Sequence, residues 1–498
     1  MLATAALAAL TACSGANNAS TSKTTTTTTT TAVTAAPSPA PPGQVIKIGI
    51  DLPLSGGDAS VGISTEQGAL LAIDQAQKNM PHGFTLQGEA LDDSVQGVHN
   101  PEQGVSNVRS FISDAAVMAV VGPYNSNVAR AEIPVTNAAG LAQIGPSVVA
   151  DNLTIGPDAA QLRRANPSMN TFFRVCTTDS RQGSALAQFA RSLGYKRAYI
   201  IDDNETYGLD LADRFEKDFT ADGGTVLSRD HLAKNTQDFK SLLLKVLAAK
   251  PDVVFFGGVT STGGGLIRKQ MFSVGLGKTA YMGGDGLADL ATVAAAQADG
   301  SYYTLAAPNA LKLPAAQAFV KAYRAKYNAD IGPYSANAYA AAQVAADAII
   351  RAIGGKNAVP SRADVVANVA STKLQTPIGP IGFDKNGDVT NPVLKTDAER
   401  TAKRVEGVQQ VVNNINVLPL SPMDWQIRRA EYRAIFAYGP MYRYAMGAVP
   451  SIHIIVNNGR VTLQGVVDNQ GDKNIAGIRA NGVPGVFSVK NELQVVKS

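Results

Sequence analysis

The sequence predicts an α/β protein of two doubly wound parallel sheets followed by a small α+β module. Three observations carry this prediction. From residue 44 onward, apolar β-type runs alternate with stretches of helical periodicity, the pattern of parallel βαβ units. The alternation restarts near residue 198, which calls for a second sheet. After about residue 396 it gives way to a hairpin, a helix and a further strand. Length agrees, because 498 residues exceed the roughly 250–300 that one core accommodates. The 44 Lys and Arg and the 40 Asp and Glu are scattered rather than striped, so nucleic acid is not an expected partner. Two cysteines, Cys13 and Cys176, are too few for a disulfide scaffold or a four-thiolate metal site. The apolar stretch 242–258 is broken by Lys245, Lys250 and Pro251 and cannot span a bilayer.

Residues 1–13 are small or apolar and end in Leu10-Thr11-Ala12-Cys13, which resembles the lipobox of bacterial lipoproteins. In that family the cysteine after the cleavage site receives the lipid, and Cys13 supplies the thiol here. No Lys or Arg precedes it, which leaves the true start of the signal segment open; the other reading is a chance cysteine in an alanine-rich leader. Residues 14–43 contain the threonine run 24–31 and Pro37, Pro39, Pro41 and Pro42, with little apolar surface to bury. A disordered tether is expected, with a typical reach of roughly 30 Å.

In the first half, the run 45–50 precedes a helix near 66–78, and 116–121 precedes one from about Asn127. In the second, 198–201 precedes a helix near 207–219, and 252–256 one near 263–272. Sheets of this kind bind ligands in the crevice at the carboxyl ends of their strands, so the strand ends are where chemistry is sought.

The strand ends carry recognisable stretches: Ile48-Gly49-Ile50-Asp51-Leu52-Pro53-Leu54-Ser55-Gly56, Val121-Gly122-Pro123-Tyr124-Asn125-Ser126, Tyr207-Gly208, Met282-Gly283-Gly284-Asp285-Gly286, and Gly379 through Asp388. In order and spacing they resemble the periplasmic leucine/isoleucine/valine-binding proteins, the substrate-binding components of ABC transporters with the type I periplasmic binding fold. The likeness spans about 70% of the chain. It implies two lobes joined by three crossovers, lobe one 44–173 with 306–370 and lobe two 174–305 with 371–395. It further implies a monomer without catalysis or cofactor, closing on a small amino-acid-like ligand for delivery to a membrane permease.

A free amino acid presents a carboxylate, an ammonium and a side chain. Ser126 ends a strand and opens a helix, where its hydroxyl and the unpaired N–H groups suit a carboxylate. The resemblance assigns it that role, and an ordinary N-cap serine is the alternative. Asp285, in a glycine-rich turn, stands where the family places an acid for the ligand ammonium; a turn aspartate is equally natural chemically. Tyr207 matches a family tyrosine that meets the ligand after closure, or else it simply packs. Tyr124 and Ser147 complete the candidates together with Val149, which stands where the family usually has threonine and donates no hydrogen bond. Val61 and Val259 stand near places where relatives often carry aromatic residues, so a less polar, roomier pocket is expected. Cys176 reads as a buried small hydrophobe.

Enzyme motifs fail. Gly275-Leu276-Gly277-Lys278-Thr279-Ala280 follows a helix rather than a strand, the wrong context for a dinucleotide fingerprint, and the first glycine of a P-loop is replaced by Phe272. Asp384, Asn386 and Asp388 have the spacing of a calcium loop, but Val389 and Lys395 stand where Gly and Glu are required, so a β-turn is expected. His82, His99, His231 and His453 have no metal-ligand spacing, and no metal site is expected.

Residues 451–468 read as a hairpin turning at Asn458-Gly459. With the ending 485–495 they resemble a BON domain, an αββαβ module of bacterial envelope proteins. Residues 405–417 repeat that ending at an offset of 78 residues, which looks like half of another such unit. The C-terminal region is thus divided into a half unit, 396–420, and a full unit, 421–498, with a fusion joint near residue 395. The BON resemblance implies association with envelope lipid or protein, and a passive appendage is the alternative. The expected function is an exported, lipid-anchored solute-binding protein for an ABC importer, or alternatively an envelope ligand sensor acting through the BON module.

Overall fold

Parallel strands buried on both faces need near-continuous apolar sequence, and Val117-Met118-Ala119-Val120-Val121 and Val253-Val254-Phe255-Phe256 supply it at the centres of two sheets. The computed structural model describes residues 43–354, 358–390, 422–445 and 451–496. The expected tether 14–43, except Gly43, lies outside them, as do Cys13 and the half unit 396–420.

The first sheet contains β1 (Gln44–Leu52), β2 (Phe84–Asp92), β3 (Val117–Val121), β4 (Ala142–Gly145) and β5 (Phe172–Arg174), in the spatial order β2-β1-β3-β4-β5. The second contains β6 (Arg197–Asp202), β7 (Thr225–His231), β8 (Val253–Gly257), β9 (Ala280–Gly283) and β10 (Ser301–Tyr303), in the order β10-β9-β8-β6-β7. All pairings within these sheets are parallel. The two halves therefore repeat one topology. In each, the strand order reverses beside the first strand, which opens a crevice at the carboxyl ends.

Helices α1 (Ala59–Ala76), α2 (Pro101–Ser113) and α3 (Ser126–Ala139) belong to the first half, and α4 (Asp179–Ser192) and α5 (Thr206–Ala221) to the second. The chain then returns as α6 (Ser335–Ile353), which packs on α1, where the Ser335 hydroxyl donates to the Ser64 carbonyl and the Tyr339 hydroxyl to Gln75 Oε1, both at 2.6 Å. Helix α1 starts seven residues before the expected 66, at Ala59. Its first turns are rich in Ser, Thr and Gly, poor helix formers that hide the helix from periodicity. Packing overrides propensity here: the Ser64 and Thr65 hydroxyls bond the Val61 carbonyl, and a Cβ on Gly62 would lie 1.8 Å from the Pro53 carbonyl oxygen.

At the crossover, Arg174 is fully buried; its Nε donates to Asp388 Oδ1 (2.6 Å) and its Nη1 to the carbonyls of Val148 and Ala150 (3.1 and 2.7 Å). Asp388 ends the expected turn, in which Asp384 Oδ1 accepts the N–H groups of Asn386 and Asp388. Cys176 is buried, and its thiol faces the Val148 carbonyl at 3.3 Å.

The C-terminal module comprises α7 (Pro422–Phe436), β11 (Ile452–Asn457), β12 (Arg460–Val467), α8 (Gln470–Asn481) and β13 (Ser488–Asn491). Its hairpin turns at Asn458 and Gly459, both at positive φ, and the Asp424 carboxylate accepts both of their N–H groups at 2.6 Å. Ile427, Ile435, Val456, Leu463 and Ala476 lie in its own core. Arg429 of α7 pairs with Asp218 (2.8 Å) and Asp222, and Arg433 bonds the Ala221 carbonyl, so two cations meet the negative end of α5. No described helix is long and apolar enough to cross a membrane.

Candidate ligand-binding site

The two crevices face one another, and between them lies a narrow cleft of about 20 Å³. Tyr124, Ser126, Ser147, Val149, Tyr207 and Asp285 all line it. Each comes from the carboxyl end of a strand: Tyr124 and Ser126 after β3, Ser147 and Val149 after β4, Tyr207 after β6, and Asp285 after β9.

On the first face, Ser126 is the first residue of α3 and is 2% exposed. The first turn of α3 contains no acidic residue, and the side chain of its N-cap, Asn125, makes no capping bond. Asn127 Oδ1 takes the Val128 N–H at 2.9 Å, which leaves the N–H groups of Ser126 and Asn127 at the positive end of the helix for an external anion. Ser126 Oγ accepts a long bond from the Ala150 N–H at 3.4 Å, which leaves its own proton to donate. Asn125 lines the cleft beside it, with Oδ1 buried and unpartnered. Ser147 differs, since its hydroxyl donates to the Tyr124 carbonyl at 3.0 Å. Val149 presents methyl groups, and its carbonyl accepts the Asp179 N–H at 2.9 Å.

On the second face Asp285 is nearly buried, at 5% exposure. Its Oδ1 accepts Gln182 Nε2 at 2.6 Å and the Tyr207 hydroxyl at 3.0 Å, and its Oδ2 accepts the Tyr334 hydroxyl. Burial raises this carboxyl above the usual aspartate value, while the bonds from Tyr334, Gln182 and Tyr207 pull it back. No cationic side chain bonds to it among the described residues. Asp203 and Glu205 add further carboxyl groups to the lining; burial, then the Glu205 charge, pushes Asp203 up to about 7.

A rim of polar contacts joins the faces. His99 Nδ1 lies 2.7 Å from Asp58 Oδ2 on its own half, and Nε2 lies 2.8 Å from Glu205 Oε2 on the other. Asn127 Nδ2 also donates to Glu205 (2.8 Å), the Ser60 hydroxyl to Asp289 (3.2 Å), and a Cβ on Gly57 would touch that of Ser261 at 2.8 Å. The lobes are closed.

With carboxylates on both ring nitrogens, His99 is the imidazolium. Burial alone would depress its pKa, but the bonds to Asp58 and Glu205 outweigh that and hold it well above 6.5. The His99 charge in turn favours the ionised forms of Asp93 and Asp203, which burial holds above the usual aspartate value. Opening the cleft separates Glu205 from His99, so the closed form has the higher pKa. The sign follows: this contribution to closure is fully present below about 6.5 and is lost as pH rises through the raised value. His99→Gln should weaken ligand affinity by about 1.5–3 kcal/mol and flatten its alkaline decline. Titration calorimetry across pH checks both, and an unchanged pH profile would remove His99 from closure.

Residues 45–399 match the periplasmic binding protein family. The chain belongs to it. Segments 386–419 and 445–497 match the BON domain, and the first of them contains the half repeat 405–417. Among similar proteins, a Leu/Ile/Val-binding protein, BraC3, of Rhizobium johnstonii is 29% identical over 349 residues, 70% of this chain and 89% of that one. A leucine-, isoleucine-, valine-, threonine- and alanine-binding protein of Pseudomonas aeruginosa is 28% identical over 70% of this chain and 87% of its own length. In structure, a leucine-binding protein, LivK, of Thermotoga maritima superposes with a TM-score of 0.60 at 25% identity, covering 70% of this chain and 93% of that one. The type I periplasmic binding fold and the BON domain are thus both present.

Several lining or supporting residues escaped sequence reasoning. Tyr334 arrives from the return segment before α6 and meets Tyr124 edge-on at 5.6 Å, so two rings occupy space where the valines in the sequence predict room. Val61 and Val259 both pack in the hydrophobic core, and of the two only Val259 lines the cleft. Asp203 and Glu205 follow β6 directly, and their position at a strand end was a signal available in the sequence.

Proposed function

We propose that this protein is an exported solute-binding protein that closes on a branched-chain amino acid, or a ligand of the same chemistry, and presents it to an ABC importer permease. One observation carries the reading: the closed cleft holds a buried, cation-free Asp285 in the same void as the positively polarised start of α3. A zwitterion complements that pair, its ammonium toward Asp285 and its carboxylate toward Ser126, while Val149, Val259 and Tyr124 offer the side-chain surface. Neither cofactor nor catalytic step enters this reading.

Thermal unfolding with a panel of L-amino acids, their amides and benzoate tests it. A cognate amino acid at 100 times its dissociation constant stabilises by about 2.7 kcal/mol. Stabilisation by benzoate but by no amino acid would replace the zwitterion with a simple carboxylate, and no shift from any amino acid would overturn the proposal.

The lipobox-like Leu10-Thr11-Ala12-Cys13 and the Thr/Pro-rich residues 14–43 support a lipid-anchored monomer at the cell envelope. Cys13→Ser should move the protein from the membrane fraction to the soluble fraction on fractionation, and retention in the membrane would refute the anchor. A second reading, a ligand sensor whose BON module contacts envelope lipid or protein, is favoured by the clasp of Arg429 and Arg433 on α5, because that helix carries Tyr207 in its first turn.

A further inference from the structure

A second cavity, about 370 Å³, lies away from the ligand cleft, where the hinge, α4 and α5 meet α7 of the C-terminal module. Three elements bring cations to it: Arg181 from α4, Lys217 from α5 and Arg428 from α7. Among the described residues none of these three makes a hydrogen bond or a close ion pair, although the Lys217 charge acts on Asp218 at longer range. Arg214 also lines the void; it lies 3.2 Å from Asp151, yet its Nε is buried without a hydrogen-bond partner.

Acids are present in the lining but committed elsewhere. Asp388 is held by Arg174 at 2.6 Å, and Asp218 by Arg429 at 2.8 Å and the Ser184 hydroxyl. Asp384 accepts two backbone N–H groups of its own turn. Asp384 is thus the one lining acid without a cationic partner among the described residues, and against it stand Arg181, Lys217 and Arg428, so the balance facing this space is positive and comes from two folding units at once.

We propose that this groove binds a small polyanion, a molecule carrying two or more phosphate or carboxylate groups. Guanidinium groups recognise such oxygens by paired, charge-assisted hydrogen bonds, and three separate cations favour a ligand with more than one anionic group. The ligand would bridge the lobe-two helices and α7, adding to the Arg429 and Arg433 clasp. Any ligand that binds only the docked arrangement must stabilise docking to the extent of its differential affinity.

Inorganic pyrophosphate is the probe, titrated calorimetrically into the full chain at constant ionic strength. Saturable binding is expected, with Arg181→Ala and Arg428→Ala each weakening it about tenfold or more. Neither residue lines the ligand cleft, so amino-acid affinity should stay unchanged in both variants, and failure of the amino-acid reading would show separately in the unaltered protein. Flotation with vesicles of phosphatidylglycerol and phosphatidylcholine distinguishes the source: arginine-dependent binding to vesicles alone assigns the anionic groups to lipid headgroups, while binding to pyrophosphate assigns a soluble ligand. Binding of neither probe, or binding indifferent to both substitutions, would overturn the proposal.

Discussion

Asp285→Ala is expected to reduce amino-acid affinity by about 2–5 kcal/mol, roughly 30- to 4,000-fold, measured by titration calorimetry. The physical reason is that Asp285 lies nearly buried with no cation bonded to it, and only neutral donors, Gln182, Tyr207 and Tyr334, satisfy it. A ligand ammonium would supply the missing counter-charge, and truncation would leave that ammonium desolvated and unpaired. Asp285 also joins the two halves through the Tyr334 hydroxyl, so closure is weakened as well. Tyr334→Phe separates these contributions, because it removes the bond across the cleft but keeps the carboxylate. Its loss should be smaller. An Asp285→Ala variant that melts like the parent without ligand and binds within threefold of it would take Asp285 out of the site.

The second large effect concerns the crossover. Arg174 is fully buried, and Asp388 and the carbonyls of Val148 and Ala150 surround its guanidinium. Arg174→Met leaves the Asp388 charge buried without its partner, a change that costs about 3–5 kcal/mol of stability. Replacing both ends with apolar residues, as in Arg174→Met with Asp388→Leu, should recover much of the loss, since the uncompensated charge then disappears. Denaturant unfolding of the single and double variants measures the coupling. Additive effects would mean that the pair contributes nothing as a pair.

The sheets were legible because their central strands are continuous apolar runs, and every strand expected before a helix in both halves is present within a few residues. Helix starts were less legible: Ala59 through Thr65 form a helix because Gly62 packs against Pro53, a tertiary cause without a local signature. In the C-terminal module, the Asn458-Gly459 turn announced itself, whereas the Asp424 carboxylate that fastens it comes from 34 residues upstream.

The candidate site divides along the same line. Residues on recognisable strand-end motifs, such as Ser126 and Asp285, could be named from sequence, and they line one cleft. Those that reach the cleft or its supports from distant segments could not. Gln182 approaches Asp285 across 103 positions of chain and Tyr334 across 49, and nothing near either residue reports that proximity. His99 shows the limit from another side: searching histidines for metal spacing misses a histidine whose partners are carboxylates on opposite lobes.

The rim formed by His99, Asn127, Ser60 and Gly57 has a consequence for evolvability. The Ser60–Asp289 and Gly57–Ser261 contacts involve no residue lining the cleft, and His99 meets the lining only at Glu205, yet all of these contacts exist only when the lobes are shut. Apparent affinity is intrinsic affinity scaled by the fraction of molecules able to close. Rim substitutions can therefore raise or lower the working concentration range for every ligand together, while substitutions in the lining choose among ligands. Capture threshold and selectivity are separable traits in this protein, open to independent adjustment.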